Sequence, residues 1–217
     1  MERIAVGVDG SAASRTALAW AAGLAERLGS EIVAINGWQP RSSEVDPDTY
    51  DQLREERRLT VERDWIEPAV EPAVAVRSIV RRGDAREVVL EAAEAEGADL
   101  VVLGRTGAGG GPGFLHLGSA VEYAAHHTSL PLAVVPGDSP GGIGRIIVGI
   151  DGSAESFGAI GWVNEVATPL GSGRVAVAGG VGVRAWTPVS SRDNGPPTVA
   201  TGGPEWAPPR RDAGGRV

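Results

Sequence analysis

The sequence predicts an α/β domain, a five-stranded parallel sheet with helices on both faces, followed by a truncated copy of its own beginning. Three observations carry this reading. Five short apolar segments rich in Val and Ile alternate with stretches of helical period. Strands that alternate with helices require right-handed crossovers, and these place the strands parallel with both sheet faces covered. A glycine-rich stretch, "GRTGAGGGPGFLHLGS" (104 to 119), follows the fourth apolar segment and has seven glycines in sixteen residues. Finally, "RIIVGIDGSAESFGAIGW" (145 to 162) repeats "RIAVGVDGSAASRTALAW" (3 to 20) at an offset of 142, with eleven identities in eighteen positions, which marks a tandem duplication.

The strand candidates are "RIAVGV" (3 to 8), "EIVAIN" (31 to 36), "AVAVRSIV" (73 to 80), "ADLVVL" (98 to 103) and "PLAVV" (131 to 135). Between the first two, Ala17, Leu18, Ala21, Leu24, Ala25 and Leu28 recur at helical spacing, with Ser11 or Ser14 as N-cap and Gly29 as the stop. Pro47 suits the first turn of a helix over 47 to 65, whose dense mixed charge reads as a solvated face. Asp84 and Glu87 resemble a capping box, Val88, Val89, Ala92 and Ala93 supply a buried face, and Gly97 ends that helix. A short helix over 119 to 127 follows the glycine stretch. The first domain therefore spans 1 to 137, with a linker at 138 to 144.

The second copy, 145 to 188, contains strand, helix and strand only. From Gly171 onward the chain has ten Gly and six Pro and no further apolar period, so the tail from 189 to 217 is predicted to be disordered.

Composition narrows the function. The chain has 217 residues, 42% of them hydrophobic, and no apolar run near the roughly 20 residues needed to cross a bilayer. Its N-terminus enters a strand pattern at once, so no export is expected. Zero cysteines, one Met and three His leave little to ligate a transition metal. A formal charge of −8 argues against nucleic acid as a partner.

Ligands of parallel sheets bind beyond the carboxyl ends of the strands. The loops after strand 1 ("VDGS") and strand 4 (the glycine stretch) share that edge. A glycine-rich strand-to-helix turn can be a flexible connection, or it can bring several N–H groups to one phosphate. In the second case Ser119 Oγ and the amides near Gly118 are the donors, and Gly104 and Gly107 let the phosphates approach. The stretch is not a P-loop, since no Lys follows its last glycine, and strand 1 is not followed by GxGxxG. Asp9 is either a turn residue or a ligand-facing acceptor. No acid, base and nucleophile set stands out. His126 and His127 suit the negative end of a helix dipole, His116 lies inside the glycine stretch, and Trp20 and Trp162 read as packing or interface residues.

Taken together, "VGVDGS" with "S..AL.WA", "GDA...V...A...GADLVVLGRTG" and "GS..EY..HH....PLAVVP" resemble the universal stress protein family in a tandem form. The resemblance covers 1 to 136 and, in part, 145 to 188. It implies a Rossmann-like domain of strand order 3-2-1-4-5. In one subclass it also implies ATP bound through G-x2-G-x9-G-[ST]. Gly104, Gly107, Gly118 and Ser119 then match the phosphate-binding elements, Asp9 matches the nucleoside contact, and Asn36, Gly37 and Trp38 lie where adenine is flanked. Arg105 is the one basic residue the loop offers to a polyphosphate. This chain departs from the pattern by having ten residues, not nine, between Gly107 and Gly118, an insertion that the intervening glycines can absorb.

The resemblance implies a cytoplasmic, ATP-binding regulatory protein of the stress response, with Mg2+ accompanying the nucleotide and at most slow hydrolysis. The alternative is a scaffold or dimerisation module that binds no nucleotide. An adenylating or pyrophosphatase-type enzyme rests on fold analogy alone. The family also implies pairing through the fifth strand, hence either a homodimer through 131 to 135 or an unsatisfied strand edge that makes the chain association-prone.

Overall fold

The computed structural model describes residues 1–39, 46–107, 117–137, 139, 143–151, 153–171 and 173–178, the last of these as backbone alone. The expectations for His116, the glycines between 109 and 113, and the tail lie outside the described residues. Two units divide the chain, Met1–Gly142 and Ile143–Val217.

In the first unit, β1 (Arg3–Gly7), α1 (Ala12–Leu28), β2 (Glu31–Trp38), α2 (Pro47–Thr60), a π-helical turn (Val61–Ile66), β3 (Val76–Arg82), α3 (Ala85–Ala95), β4 (Leu100–Gly104), α4 (Ser119–His127) and β5 (Leu132–Val135) follow one another. The strands form one sheet of order β3-β2-β1-β4-β5, and every pair is parallel.

Strand alternation divides the core between the two faces. Ala5, Val33, Ile35, Val101 and Leu103 pack with Val88, Val89, Ala92 and Ala93 of α3 and with Val121 and Ala124 of α4. Their neighbours Ile4, Val6, Ile32, Ala34, Leu100 and Val102 are buried on the opposite face, which α1 covers with Ala17, Leu18, Ala21, Leu24 and Ala25. Each fully buried Ile or Leu among these contributes about 1.5–3 kcal/mol.

The elements end where their backbone groups find other partners. Ser11 caps α1 by accepting from the Ser14 amide at 3.1 Å, and Gly29 closes it at φ 67°, in the left-handed region. β3 starts at Val76 rather than Ala73, because the Val74 amide donates to the Glu71 carbonyl in a turn. β2 runs two residues past Asn36, since Gly37 and Trp38 still pair with Arg81 and Arg82 of β3. Asp84 caps α3 alone: its carboxylate accepts from the Arg86 amide at 3.0 Å and from the Arg86 guanidinium at 2.6 Å, and Glu87 does not complete the expected box. At the amino edge of the sheet, the Glu31 carboxylate joins Arg3 at 3.1 Å to Arg77 at 3.0 Å.

The second unit has β6 (Arg145–Ile150), α5 (Ala154–Leu170) and β7 (Gly173–Ala178), with β6 and β7 parallel. Its opening reproduces the local geometry of the first. Ser153 caps α5 by accepting from the Ser156 amide at 3.1 Å, and Gly171 closes it at φ 61°. Val148, Val163 and Ala167 form a small core with Ile146, Ile150, Ile160 and Trp162. Ile147 is 66% exposed, whereas Ala5, its counterpart at the repeat offset, is fully buried under α3. Among the described residues the second unit has no helix on that face. Nor is any described helix long and apolar enough to cross a membrane.

The Asp84 cap yields a test. The Arg86 guanidinium and amide hold the Asp84 carboxyl down at about 2. Ionisation of this group therefore stabilises the fold above its unfolded-state value near 4, and the contribution is lost as pH falls through about 2. Asp84→Ala costs about 1 kcal/mol in urea denaturation at pH 7, and its difference from the parent chain narrows as pH falls from 4 to 2.

Candidate functional site

The order β3-β2-β1-β4-β5 sends the chain one way from β1 to β2 and the other way to β4, which opens a crevice at the carboxyl ends of β1 and β4. The loops after these two strands meet there. Asp9 Oδ1 accepts from the Ser11 amide at 2.9 Å in an Asx turn, which is its turn role. Its other carboxylate oxygen faces the second loop: a Cβ on Gly107 would lie 3.0 Å from Asp9 Oδ2.

The glycines expected at a phosphate site turn out to have different surroundings. Gly104 lies against α1, where a Cβ would stand 2.6 Å from the backbone carbonyl carbon and oxygen of Ala13, so its bareness serves the close approach of helix and strand. Gly118 caps α4 in extended conformation, and its N–H turns back to the Arg105 carbonyl at 2.8 Å. That amide is therefore not a ligand donor. Gly118 has no side chain to cap the helix, so the first-turn amides of Ser119 and Ala120 are left at the loop with the exposed Ser119 hydroxyl and the positive end of the helix dipole. The Arg105 amide donates to Val135 at 2.9 Å, which anchors the start of the loop to β5.

Asn36, Gly37 and Trp38 are each held by the fold. Asn36 is 2% exposed; its Nδ2 donates to the Val8 carbonyl at 2.6 Å, and its Oδ1 accepts from Arg57 Nε at 2.9 Å. Gly37 packs on α3, where a Cβ would lie 2.4 Å from Ala85 Cα. Trp38 stacks on Tyr50 of α2 with ring centroids 5.8 Å apart, and the Arg82 guanidinium covers the same tyrosine.

Two residues at this edge escaped the sequence reading, Arg57 and Trp65. Both belong to the charge-dense segment read as a solvated face, and most of α2 is indeed solvated. Arg57 instead turns inward, half-buried, with its guanidinium 4.7 Å above the Trp65 ring. Burial pushes its pKa below the ordinary arginine value, and the charge of Asp9 opposes that shift. Trp65 in turn closes on the β1 loop: Gly10 has φ 81°, and a Cβ there would stand 2.5 Å from the indole. Only glycine meets both conditions. Composition could not single out one arginine in a run of charged residues; Trp65, the one indole in that run, was the available signal.

The β4 side can thus offer an anion two helix-start amides, a hydroxyl and a dipole end, whereas the β1 side holds the Asp9 carboxylate, an acceptor suited to a hydroxyl or amine donor. The packing assigns Gly104 a structural cost separate from any ligand: Gly104→Ala destabilises the chain by about 1–3 kcal/mol in urea denaturation, with or without nucleotide present.

Comparisons with known proteins bear on the fold and the lineage. The universal stress protein family matches residues 1–136. A universal stress protein of Mycolicibacterium smegmatis is 35% identical over 136 residues, which covers 61% of this chain and 45% of that protein. The chain thus spans less than half the length of that curated relative. The crystal structure of a universal stress protein from Archaeoglobus fulgidus shares the fold at a TM-score of 0.66 and 21% identity, over 83% of this chain and 68% of that one. An Arabidopsis thaliana member solved with AMP bound aligns over 63% of this chain and 92% of its own, at 14% identity and a TM-score of 0.46. A five-stranded parallel sheet of order 3-2-1-4-5 and the family match over its whole length lead to one conclusion: the chain belongs to the universal stress protein family.

Proposed function

We propose that the crevice between β1 and β4 binds ATP and that the chain acts as a nucleotide-responsive regulatory protein of the stress response, with at most slow hydrolysis. The observation that carries this reading is the meeting of Asp9 with Gly107 beside the uncapped start of α4. The donor set fits a nucleotide. Phosphates face the Ser119 hydroxyl and the amides of Ser119 and Ala120, with Arg105 in the same loop, and the nucleoside faces Asp9 and the end of β2 at Asn36 to Trp38. Mg2+ would be carried by the phosphates and water, as this ion commonly is. A protein that answers to ATP works where ATP is, so the reading includes a cytoplasmic location.

The second unit is, on this reading, a partial second copy of the first domain. The domains run from 1 to 137 and from 145 to 188, with a linker between them and a tail beyond. The repeat at offset 142, the matching caps at Ser11 and Ser153, and a relative of which the matched region covers only 45% support this. The exposure of Ile147 is consistent with a second copy that has no counterpart of α3 among the described residues.

We further propose a homodimer through β5. The carbonyls of Pro131 and Val135 accept from Val101 and Arg105 of β4. Alternate residues of a parallel strand bond to opposite sides, so Leu132 and Val134 turn their backbone groups to the open edge.

Calorimetric titration of the full chain with Mg-ATP tests the nucleotide reading. Binding is expected, weakened by about tenfold in Ser119→Ala, in which one charge-assisted donor is lost. Absence of heat at millimolar Mg-ATP overturns the reading and leaves the β5 edge as the functional surface. Val134→Pro is expected to keep the β4–β5 ladder and to shift sedimentation from dimer to monomer. A dimer that persists in that variant overturns the β5 assignment.

A further inference from the structure

At the carboxyl edge of β1 and β2, an arginine is fixed in place by two unrelated contacts. Arg57 Nε donates to Asn36 Oδ1 at 2.9 Å, and Asn36 is itself fully engaged, since its Nδ2 donates to Val8 at 2.6 Å. The flat face of the guanidinium lies 4.7 Å from the Trp65 ring. An α-helix turns 100° per residue, so Trp65, eight residues after Arg57, would sit about 80° away around an unbroken helix. The π-helical turn Val61–Ile66, with its i→i+5 bond from the Glu67 amide to the Glu62 carbonyl, slows that rotation and brings the indole beneath the guanidinium. Such turns are rare and recur at functional sites. Beyond the Asn36 bond, no side-chain hydrogen bond from Arg57 to another described residue is present.

Asp9 supplies the other half of the argument. Its carboxylate borders Gly107 in the loop where an anionic ligand would sit, and a carboxylate next to a phosphate repels it. Arg57 stands close by through Trp65: its guanidinium carbon lies 4.7 Å from the centroid of that ring, and the indole packs on Gly10, the residue after Asp9.

Resting on the nucleotide reading above, we propose that Arg57, held in plane by Asn36 and Trp65, offsets the charge of Asp9 and so selects ligands by their phosphate charge. It is a positioning residue for the anionic ligand, and the π-helical turn exists to hold it. Arginine suits this task because its planar fork can stack and hydrogen-bond at once and it stays charged when half-buried.

The test is calorimetry of the full chain with adenosine, AMP, ADP, ATP and inorganic tripolyphosphate. Arg57→Gln is expected to weaken ATP by about tenfold and adenosine by less than about twofold, with the loss growing along the series. The parent chain is also expected to lose ATP affinity with added salt more steeply than Arg57→Gln. Arg57→Lys keeps the charge, guards against a folding defect, and is expected to recover most of the ATP affinity but less than the whole. A uniform loss across the series, or ATP affinity in Arg57→Gln equal to that of the parent, overturns the proposal and leaves the nucleotide reading standing. No heat from the parent chain with any probe overturns both.

Discussion

The carboxyl edge of the sheet depends on one buried amide. Asn36 sits where water does not reach, and a buried amide with an unmet donor or acceptor costs about 1–3 kcal/mol. Both of its needs are met by groups distant in sequence, the Val8 carbonyl after β1 and the Arg57 guanidinium on α2. This polar group therefore ties three elements together at the edge where a ligand would arrive. Arg57 lies in turn over Trp65, and Trp65 packs on Gly10, so the same edge continues into the β1 loop.

Around that joint, tight packing and open chemistry share the same short loops. Gly37 and Gly104 are bare because backbone of α3 and α1 comes within 2.4 and 2.6 Å of where their Cβ atoms would be. Gly118 stands at the N-cap of α4 with no side chain to accept from the first-turn amides. One residue type thus serves two purposes a few residues apart. A glycine-rich motif read as a unit hides this division: among its described glycines, Gly104 lies against α1 and Gly107 borders Asp9.

The fold was largely legible. Val and Ile runs alternating with helical periods gave the five strands, and the small apolar positions of α1 and α3 gave the two covered faces. Ser11, Gly29 and Gly97 marked helix ends because caps act within one turn. Strand ends were less legible: β2 extends to Trp38 only because β3 is beside it to accept pairing, and β3 starts late because a turn claims Val74. Of the residues expected at the site, the sequence brought Asp9 and Gly107 to adjoining loops and Ser119 to the start of α4, since all three lie beside strand ends or a helix start. Arg57 and Trp65 were not legible, for their role depends on a change of helical pitch and on a partner in β2 that local pattern does not reveal.

Local chemistry, then, was enough for the sequence alone to determine the alternating parallel architecture, the repeat with its matched caps, and the two loops that share one edge. Periodicity, capping and turn propensity act over a few residues and survive translation into sequence. The tertiary structure decided which side chains face each other across those loops. It set the carboxylate of Asp9 against Gly107, turned the Gly118 amide back on Arg105, and drew one arginine out of a solvated helix face into the crevice. Each of these arises from long-range packing and from the need to satisfy buried polar groups, a condition that exists only once the chain is folded.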